Sequence, residues 1–203
     1  MAQGSMLLGG ELGIKANLLQ SAPLSWRIRN ALRPSYLYGW AYNQSAKLFT
    51  GLTGIPTLTA ELSLVLNKRD GSRIDYGVVG YRVVTTAFVT FLVDQLQTET
   101  SVFGDYKFHD SGVGTTAENV TDTAMETTDG ESRVTGTQTE SSANIYQSVG
   151  TISYTTTKAI TEHGLFNDVS AGTLMDRTVF SAINVVNGDS VTFTYSLTVS
   201  SGG

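Results

Sequence analysis

At 203 residues the chain is long enough to bury one well-packed core, and its composition is 40% hydrophobic and 15% charged, with a net charge of −5. The absence of cysteine excludes disulfides and thiolate metal sites. No segment approaches the roughly 20 apolar residues of a membrane-spanning helix, and Met1 to Leu8 lack the basic start of a secretory signal, so we expect synthesis in a cytoplasm and no membrane partner.

Residues 1–56 are predicted to form an extended or partly helical N-terminal arm, because Gly9-Gly10 and Pro23 interrupt any long element. Two helical turns fit between Ser25 and Leu32. The arm carries five basic side chains and one acidic one, a net charge of +4, whereas residues 57–203 carry eight basic and 17 acidic ones, a net charge of −9. A basic arm on an acidic body indicates that the arm lies on an acidic partner.

Aromatic side chains are interleaved with the cations of the arm. Alternation would place Tyr36, Tyr38, Trp40 and Tyr42 on one side of a strand, where they either pack in the core or anchor a partner. Because the five cations form no dense basic run, a protein surface is favoured over nucleic acid as that partner. The arm residues expected to contact it are Trp26, Arg27, Arg29, Arg33, Tyr36, Tyr38, Trp40 and Tyr42.

Residues 57–203 are predicted to form a β-sandwich body. Ala60 to Leu66 has the pattern of a strand, residues 68–71 read Lys-Arg-Asp-Gly and predict a turn, and Ile74 to Val84 returns as the partner strand. A helix near residues 86–97 follows, since Thr85 or Thr86 can cap it and apolar residues recur at three- and four-residue spacing.

Only strands are expected after Phe103. In the last of them Val191, Phe193, Tyr195 and Leu197 share one face, while serine and threonine occupy the other. The overall prediction is a mainly β chain: an antiparallel, jelly-roll-like β-sandwich with one short helix and an extended N-terminal arm. Residues 111–142 are too poor in large apolar groups to order themselves, so we expect a neighbouring molecule to order them.

No catalytic constellation is found, and no cofactor, metal or small-molecule substrate is expected. A mixed metal site of His109, Asp110, Glu162 and His163 is conceivable if paired strands bring these residues together. Local hydrogen bonding by each imidazole is the favoured alternative, because the two histidines have no metal-ligand spacing. An enzyme that degrades cell-surface polymers would need a cleft with paired carboxylates or a metal, and the acids here are scattered.

Two further motifs are structural. Asn187-Gly188-Asp189 has the composition of a tight turn before the final strand, because glycine tolerates positive φ. Asp176-Arg177 precedes an apolar run, and if exposed such an ion pair contributes only about 0–1 kcal/mol.

Five motifs stand out in the second half of the chain: Phe108 to Glu118, Glu162 to Phe166, Leu174 to Phe180, Asn187 to Ser190 and the closing Gly202-Gly203. With these motifs, residues 102–203 resemble a module found in virion proteins of tailed bacteriophages and their prophage relatives. The same region is also similar to the strand pattern of phage tail-collar and fibre proteins, which carry a Glu-x-Gly-Leu step followed by a Gly-Asp turn. Residues 62–96 look similar to the segment that precedes this module in relatives.

The resemblance implies a non-enzymatic virion structural protein made in the cytoplasm of a host bacterium. The leading hypothesis is a capsid decoration or cement protein on the outer surface of the capsid. Its expected partners are the major capsid protein, gripped through the arm, and copies of itself in a homotrimer. The alternative is a tail, collar or fibre-base component, with residues 111–142 as a receptor-binding tip.

Overall fold

The structure is a computed structural model that describes residues 19–53, 55, 57–81, 83–97 and 105–200; the first 18 residues of the expected arm and the closing Gly202-Gly203 lie outside them. The helices are α1 (Leu24–Ala31), α2 (Pro34–Thr53) and α3 (Thr86–Gln97). The strands are β1 (Leu19–Ser21), β2 (Thr57–Asn67), β3 (Arg73–Tyr81), β4 (Val83–Val84), β5 (Phe108–Gly112), β6 (Val134–Thr135), β7 (Thr137–Ser142), β8 (Ile145–Ser153), β9 (Lys158–Phe166), β10 (Leu174–Val185) and β11 (Ser190–Ser200).

The chain is mainly β, and its strands form two sheets. The first sheet has the order β1-β3-β2-β11-β8-β7, and the second has the order β4-β10-β9-β5-β6. Neighbouring strands are antiparallel except β1 and β3, which run parallel, so the expectation of a wholly antiparallel sheet is wrong at that edge. Parallel pairing follows from the long connection, because α1, α2 and β2 lie between the two strands and return the chain in the same direction.

The two sheets face each other across one apolar core. The predicted alternation of β11 is confirmed: Val191, Phe193, Tyr195 and Leu197 are buried. Phe193 meets Phe180 of the second sheet with ring centroids 6.5 Å apart. Burying a phenylalanine of this kind contributes about 1.5–3 kcal/mol, so packing between the sheets is the main source of stability.

The predicted helix is confirmed, and so is the hairpin, except that its second strand ends at Tyr81 and Val83–Val84 pair with β10 in the second sheet. β2 and β3 pair through a turn in which the Gly71 N–H donates to the Lys68 carbonyl at 2.9 Å, and Gly71 has a φ of 85°. α3 spans the predicted range, and the Thr85 hydroxyl caps it by accepting from the Phe88 N–H at 3.2 Å.

The helical turns expected between Ser25 and Leu32 are confirmed by α1, whereas an extended course for the rest of the described arm and the expectation of a single helix are wrong. Residues 24–53 are almost entirely helical, in α1 and α2. Pro34 stands at the first position of α2, where a fixed φ favours helix and no N–H is needed, and no later proline interrupts the helix. Because this segment is a helix, its aromatic side chains do not alternate between two faces of a strand. Helical spacing instead puts Tyr38 and Tyr42 on one face and Tyr36 and Trp40 on another.

α1 closes the side of the molecule where the edges of the two sheets meet. The Asn30 amide donates to the Val79 carbonyl of β3 at 2.8 Å, and its oxygen accepts from the Ser181 N–H of β10 at 2.9 Å. The Trp26 indole N–H lies 3.0 Å from the Ser181 carbonyl. The β9–β10 register shifts between Val179 and Ile183, which leaves these backbone groups of β10 free for the helix. α1, which the sequence assigned to the arm, thus packs against both sheets of the body.

α2 packs on the first sheet through a narrow row of small or polar residues. Gly39 lies so close to Tyr81 that a Cβ would stand 2.4 Å from the Tyr81 carbonyl oxygen. Asn43 donates to the Ala60 carbonyl at 3.3 Å, and the Thr50 and Thr57 hydroxyls are 2.7 Å apart. Among the described helices, none combines the length and apolar character needed to cross a membrane.

Candidate functional site: a buried polar network and an exposed helical surface

Glu162 of β9 and Arg177 of β10 form a buried ion pair on the outer face of the second sheet. Glu162 stands opposite Val179, and Arg177 stands opposite Gly164, so the two side chains are diagonal neighbours. The Arg177 Nε donates to the Glu162 Oε2 at 2.6 Å. Sequence reasoning placed Arg177 in a pair with Asp176, but adjacent strand residues point to opposite faces, and the partner comes from β9.

The loop at residues 113–133 covers this pair and is held by Glu162. The carboxylate accepts backbone N–H groups of Gly114 at 3.0 Å, Glu126 at 3.2 Å and Thr127 at 2.8 Å. A buried carboxylate needs such donors, because its charge has lost contact with water. The loop therefore folds back over the strand that carries Glu162.

Arg177 holds the same loop through its remaining guanidinium N–H groups. It donates to the Asp122 carboxylate at 3.0 Å, to the Glu126 carboxylate at 3.2 Å and to the Thr116 carbonyl at 3.3 Å. The expectation that a neighbouring molecule orders residues 111–142 is wrong for this part, since the chain's own β9 and β10 supply the contacts. The sequence signal was the set of acidic residues in the loop, which needed a cation elsewhere in the chain.

A second ion pair anchors the end of the loop. The Arg133 Nε donates to the Asp110 Oδ2 at 3.0 Å, and the Arg133 guanidinium carbon lies 3.4 Å from the centre of the Phe166 ring. Burial raises the pKa of Asp110, and the hydrogen bond from Arg133 opposes that rise.

A third ion pair joins the loop to β9. The Lys158 ammonium donates to Glu131 at 2.6 Å and lowers the pKa of that carboxyl.

The two histidines meet on the inner face of the second sheet. The His109 Nδ1 lies 2.9 Å from the His163 Nε2, and the His109 Nε2 lies 2.8 Å from the Ser148 hydroxyl of the first sheet. All three residues are fully buried. The His163 ring also packs on Phe193, with centroids 4.6 Å apart. The imidazoles do hydrogen-bond, but their partners lie on neighbouring strands and not locally in the sequence, so the expectation of local bonds is wrong. The bond to Ser148 links the two sheets across the core.

Asp176 shares this inner face. It stands two residues before Thr178, which is opposite His163 in the β9–β10 register, and both Asp176 and Thr178 are fully buried. The middle of the second sheet therefore carries polar side chains on both faces. Asp110, Glu162 and Arg177 lie outside under the loop, and His109, His163 and Asp176 lie in the core.

This division keeps the mixed metal site from forming. His109 and His163 point inward, whereas Asp110 and Glu162 point to the opposite face and pair with arginines. Within the described ranges there is no group of three histidine or carboxylate side chains arranged to hold a metal ion. What the arrangement can do is structural: it fixes three strands and a long loop in one geometry.

The turn Asn187-Gly188-Asp189 is confirmed, with Gly188 at a φ of 89°. The buried Asp189 carboxylate accepts from the Lys68 ammonium at 2.8 Å and from the Arg69 N–H at 2.9 Å. Burial alone would raise the pKa of Asp189, but these donors outweigh it and lower the pKa. Asp189 therefore joins the β10–β11 turn to the β2–β3 turn at one end of the molecule.

The eight residues expected to contact a partner divide into three groups. Trp26 is buried at 5% exposure, and Tyr36 packs edge-on against Tyr81 with centroids 5.2 Å apart, so these two serve the fold. Arg33 is half-buried, and burial lowers its pKa. The remaining five stay exposed on the helices: Arg27, Arg29, Tyr38, Trp40 and Tyr42.

Sequence reasoning missed the apolar character of the same surface. Tyr38 is 71% exposed, and the leucines at positions 48 and 52 are 65% and 76% exposed. Reading the segment as a strand hid the helical spacing that brings these side chains together. The other large apolar residues exposed on or beside α1 and α2 are Leu24, Ile28, Leu32, Leu37, Trp40, Tyr42, Phe49 and Ile55.

An apolar cleft of about 650 Å³ lies near α3 at one end of the two sheets. Phe88, Leu92, Met175 and Leu197 are among its described lining residues, and none of the lining residues is a carboxylate or an imidazole. Such a lining suits apolar contact and offers no acid–base pair.

Comparison with family models, with curated protein sequences and with solved structures finds no match to this chain.

Proposed function

We propose that this chain is a non-enzymatic structural protein of a tailed-phage virion, which binds and stabilises the major capsid shell as a decoration or cement protein. The observation that carries the proposal is the exposed apolar surface of α1 and α2 on a rigid body. Monomeric proteins rarely expose continuous apolar patches larger than a few hundred Å², and patches of that kind mark interaction sites.

The rigid body supports an assembly role. Ion pairs within the chain neutralise the charges of Glu162, Arg177 and Asp110, and both histidines are enclosed in the core. Buried polar groups of this type fix one geometry and leave little chemistry to offer a substrate. A protein that must sit on a shell as a fixed unit needs that rigidity.

We propose that the fold is an antiparallel, jelly-roll-like β-sandwich. Jelly rolls recur in viral capsid and lectin domains and consist of two Greek keys. The supporting observation is that the final strand, β11, returns along its whole length to lie beside β2. A long-range return of this kind is the defining step of a Greek key.

The shell contact is assigned to the exposed residues of α1, which we call the α1 face: Leu24, Ile28 and Leu32 on the outer side, with Arg27 on one flank and Arg29 on the other. Its residues are exposed, and Trp26 and Asn30 of the same helix are buried against the sheets. The two arginines supply cations on a chain of net charge −5, so an acidic patch on the major capsid protein is the complementary surface. The protein would then sit on the outside of the capsid after synthesis in the host cytoplasm.

The test is binding of the purified protein to capsids that lack it. Arg27→Glu combined with Arg29→Glu is expected to lower the bound copies at least about tenfold, because two attractive contacts become repulsive. The matched control reverses two exposed cations elsewhere, Arg69→Glu with Arg73→Glu, and should bind normally. Undiminished binding of the α1 variant would remove the α1 face from the proposal. Absence of the protein from purified virions would remove the function altogether.

A tail, collar or fibre-base component is the second candidate. The loop at residues 113–133 favours it, because the loop is held firmly from below while Val113 and Val120 stay exposed. Ordered loops on a rigid scaffold are common binding sites. Copy number separates the two functions: hundreds per particle indicate shell decoration, and about three to a dozen indicate the tail or neck.

A further inference from the structure

α2 is apolar on the side that faces away from the sheet as well as on its flanks. Its inner row, with Gly39, Asn43 and Ala46, is buried against β2 and β3. On the opposite side lie Leu37, Ala41, Gln44, Leu48 and Leu52, all exposed, which we call the α2 stripe. A surface helix normally presents polar residues on that side, so α2 has the composition of a helix enclosed from both sides.

The spacing of the stripe specifies a helix as the covering element. Leu37, Ala41, Gln44 and Leu48 follow intervals of four, three and four residues, which is the seam by which one helix packs along another. Ala41 in the middle is small and allows close approach of a second helix. From residue 37 to residue 52 the seam extends about 22 Å at 1.5 Å per residue, or four helical turns.

The near absence of charge on α2 indicates which kind of helix can cover the α2 stripe. Among the 20 residues of α2, Lys47 is the one charged side chain, and no carboxylate is present. The α1 face beside it carries two arginines, so a partner of opposite charge has its contact there and not on the stripe. A neutral seam is compatible with its own copy, since two identical stripes meet without like-charge repulsion.

The exposed area is also of the size that self-association needs. Tyr38, Tyr42 and Phe49 flank the stripe on one side and Trp40 on the other, each exposed by roughly half or more. Large aromatic residues bury about 150–250 Å² each when fully covered. Together with the three leucines these half-exposed side chains offer roughly 700 Å², against about 800 Å² per partner in a standard interface.

We propose that the α2 stripe is a self-association seam that pairs with α2 of a second copy of this chain. The proposal deepens the decoration function by giving the α1 face to the shell and the α2 stripe to a neighbouring copy. It does not depend on that function, because the seam is a property of the isolated protein.

The experiment measures the mass of the purified full-length chain in solution by sedimentation and light scattering from about 1 to 100 μM. The wild type is expected to be a dimer or a higher closed oligomer. Leu48→Glu and Leu52→Glu are each expected to weaken association by roughly a hundredfold, because the interface would then bury an unpaired carboxylate. Both positions are mostly exposed in the single chain, so each variant should fold, which circular dichroism verifies.

The matched control is Leu96→Glu, which places the same charge on an exposed leucine of α3, at 81% exposure, away from the stripe. It should associate like the wild type. A monomeric wild type overturns the proposal and assigns the stripe to another partner or segment, and so do folded stripe variants that stay oligomeric. A monomer that still binds capsids refutes only the seam, whereas an oligomer that binds none refutes only the decoration function.

Discussion

The Nε of Arg177 lies 2.6 Å from the Oε2 of Glu162, and the two side chains are buried between a sheet and the loop that covers it. The pair has a consequence for the whole loop, because each partner holds several of its backbone or side-chain groups. Removing the Glu162 charge takes away the fully buried partner of Arg177 and leaves the guanidinium only the partly exposed Asp122 and Glu126 carboxylates. Breaking a buried pair in this way is strongly destabilising.

Glu162→Gln is expected to destabilise the chain by about 3–5 kcal/mol, because it leaves the Arg177 guanidinium without its buried partner. Urea unfolding measures the change, and limited proteolysis should show faster cutting within residues 113–131. Asp105→Asn is the control, since Asp105 pairs with Lys107 at the surface at 3.3 Å and should cost no more than about 1 kcal/mol. Equal effects of the two variants would contradict the structural role of the buried pair.

Asn30 is expected to matter more to stability than the arginine beside it. Asn30→Ala leaves the Val79 carbonyl and the Ser181 N–H without their side-chain partner at the joint between the sheets, at a cost of about 1–3 kcal/mol for each group left unsatisfied. Arg29→Ala, on the exposed side of the same helix, should change the unfolding free energy by less than about 0.5 kcal/mol. If Asn30→Ala left the free energy of unfolding in urea unchanged, α1 would contribute little to the stability of the body.

The strands were readable from the sequence where one face is buried and the other is polar. β2 alternates from Ala60 to Leu66 and β11 from Val191 to Leu197, and α3 has both a cap and a helical apolar period. α2 was misread because Tyr36, Tyr38, Trp40 and Tyr42 recur at every second position, which fits a strand. The large apolar side chains of the helix lie on its outer side and both flanks, while its buried row is small or polar, so no apolar face marks a helical period. The secondary-structure propensities of these residues alone do not distinguish a helix from a strand.

The polar network was only partly predictable. The sequence predicted that the histidines hydrogen-bond and do not bind a metal, but not to which partners, because the His109–His163 contact depends on the register of β5 and β9. Likewise, Arg177 was assigned to its sequence neighbour Asp176, because the Glu162 partner is fixed by a strand pairing that no single sequence displays. Contacts of this kind are set by tertiary structure and not by local pattern.

Gly150 makes a packing prediction that the sequence could not supply. A Cβ at this position would lie 2.5 Å from Cδ2 of the buried His109 ring, which cannot move without losing Ser148 and His163. Gly150→Ala should therefore destabilise the chain by about 1–3 kcal/mol through overpacking.

The control is Gly51→Ala, in the exposed last turn of α2, where nothing lies within 4 Å of the new Cβ. There alanine should be neutral or stabilising by up to about 1 kcal/mol, because it favours helix. Thermal unfolding of the two variants should give shifts of opposite sign or of clearly different size. A harmless Gly150→Ala would mean that the histidine ring has more freedom than its contacts imply.

Asp189 predicts a pH dependence at the end of the molecule where two turns meet. Its pKa is lower in the folded chain than the ordinary value of 3.8, because the donors from Lys68 and the Arg69 and Val186 N–H groups outweigh its burial. The folded state therefore binds the proton less tightly than the unfolded chain does. The stabilising contribution is complete above pH 3.8 and disappears as the pH falls below that value through the folded-state pKa.

Asp189→Asn should accordingly be less stable than the wild type at neutral pH, and the gap should narrow as the pH falls below 3.8. Unfolding by urea between pH 7 and pH 3 measures the gap directly. Asp110→Asn provides the contrast, since burial raises the pKa of Asp110, and acidification there favours the folded state. A gap for Asp189→Asn that stays constant down to pH 3 would show that the carboxylate charge does not hold the two turns together.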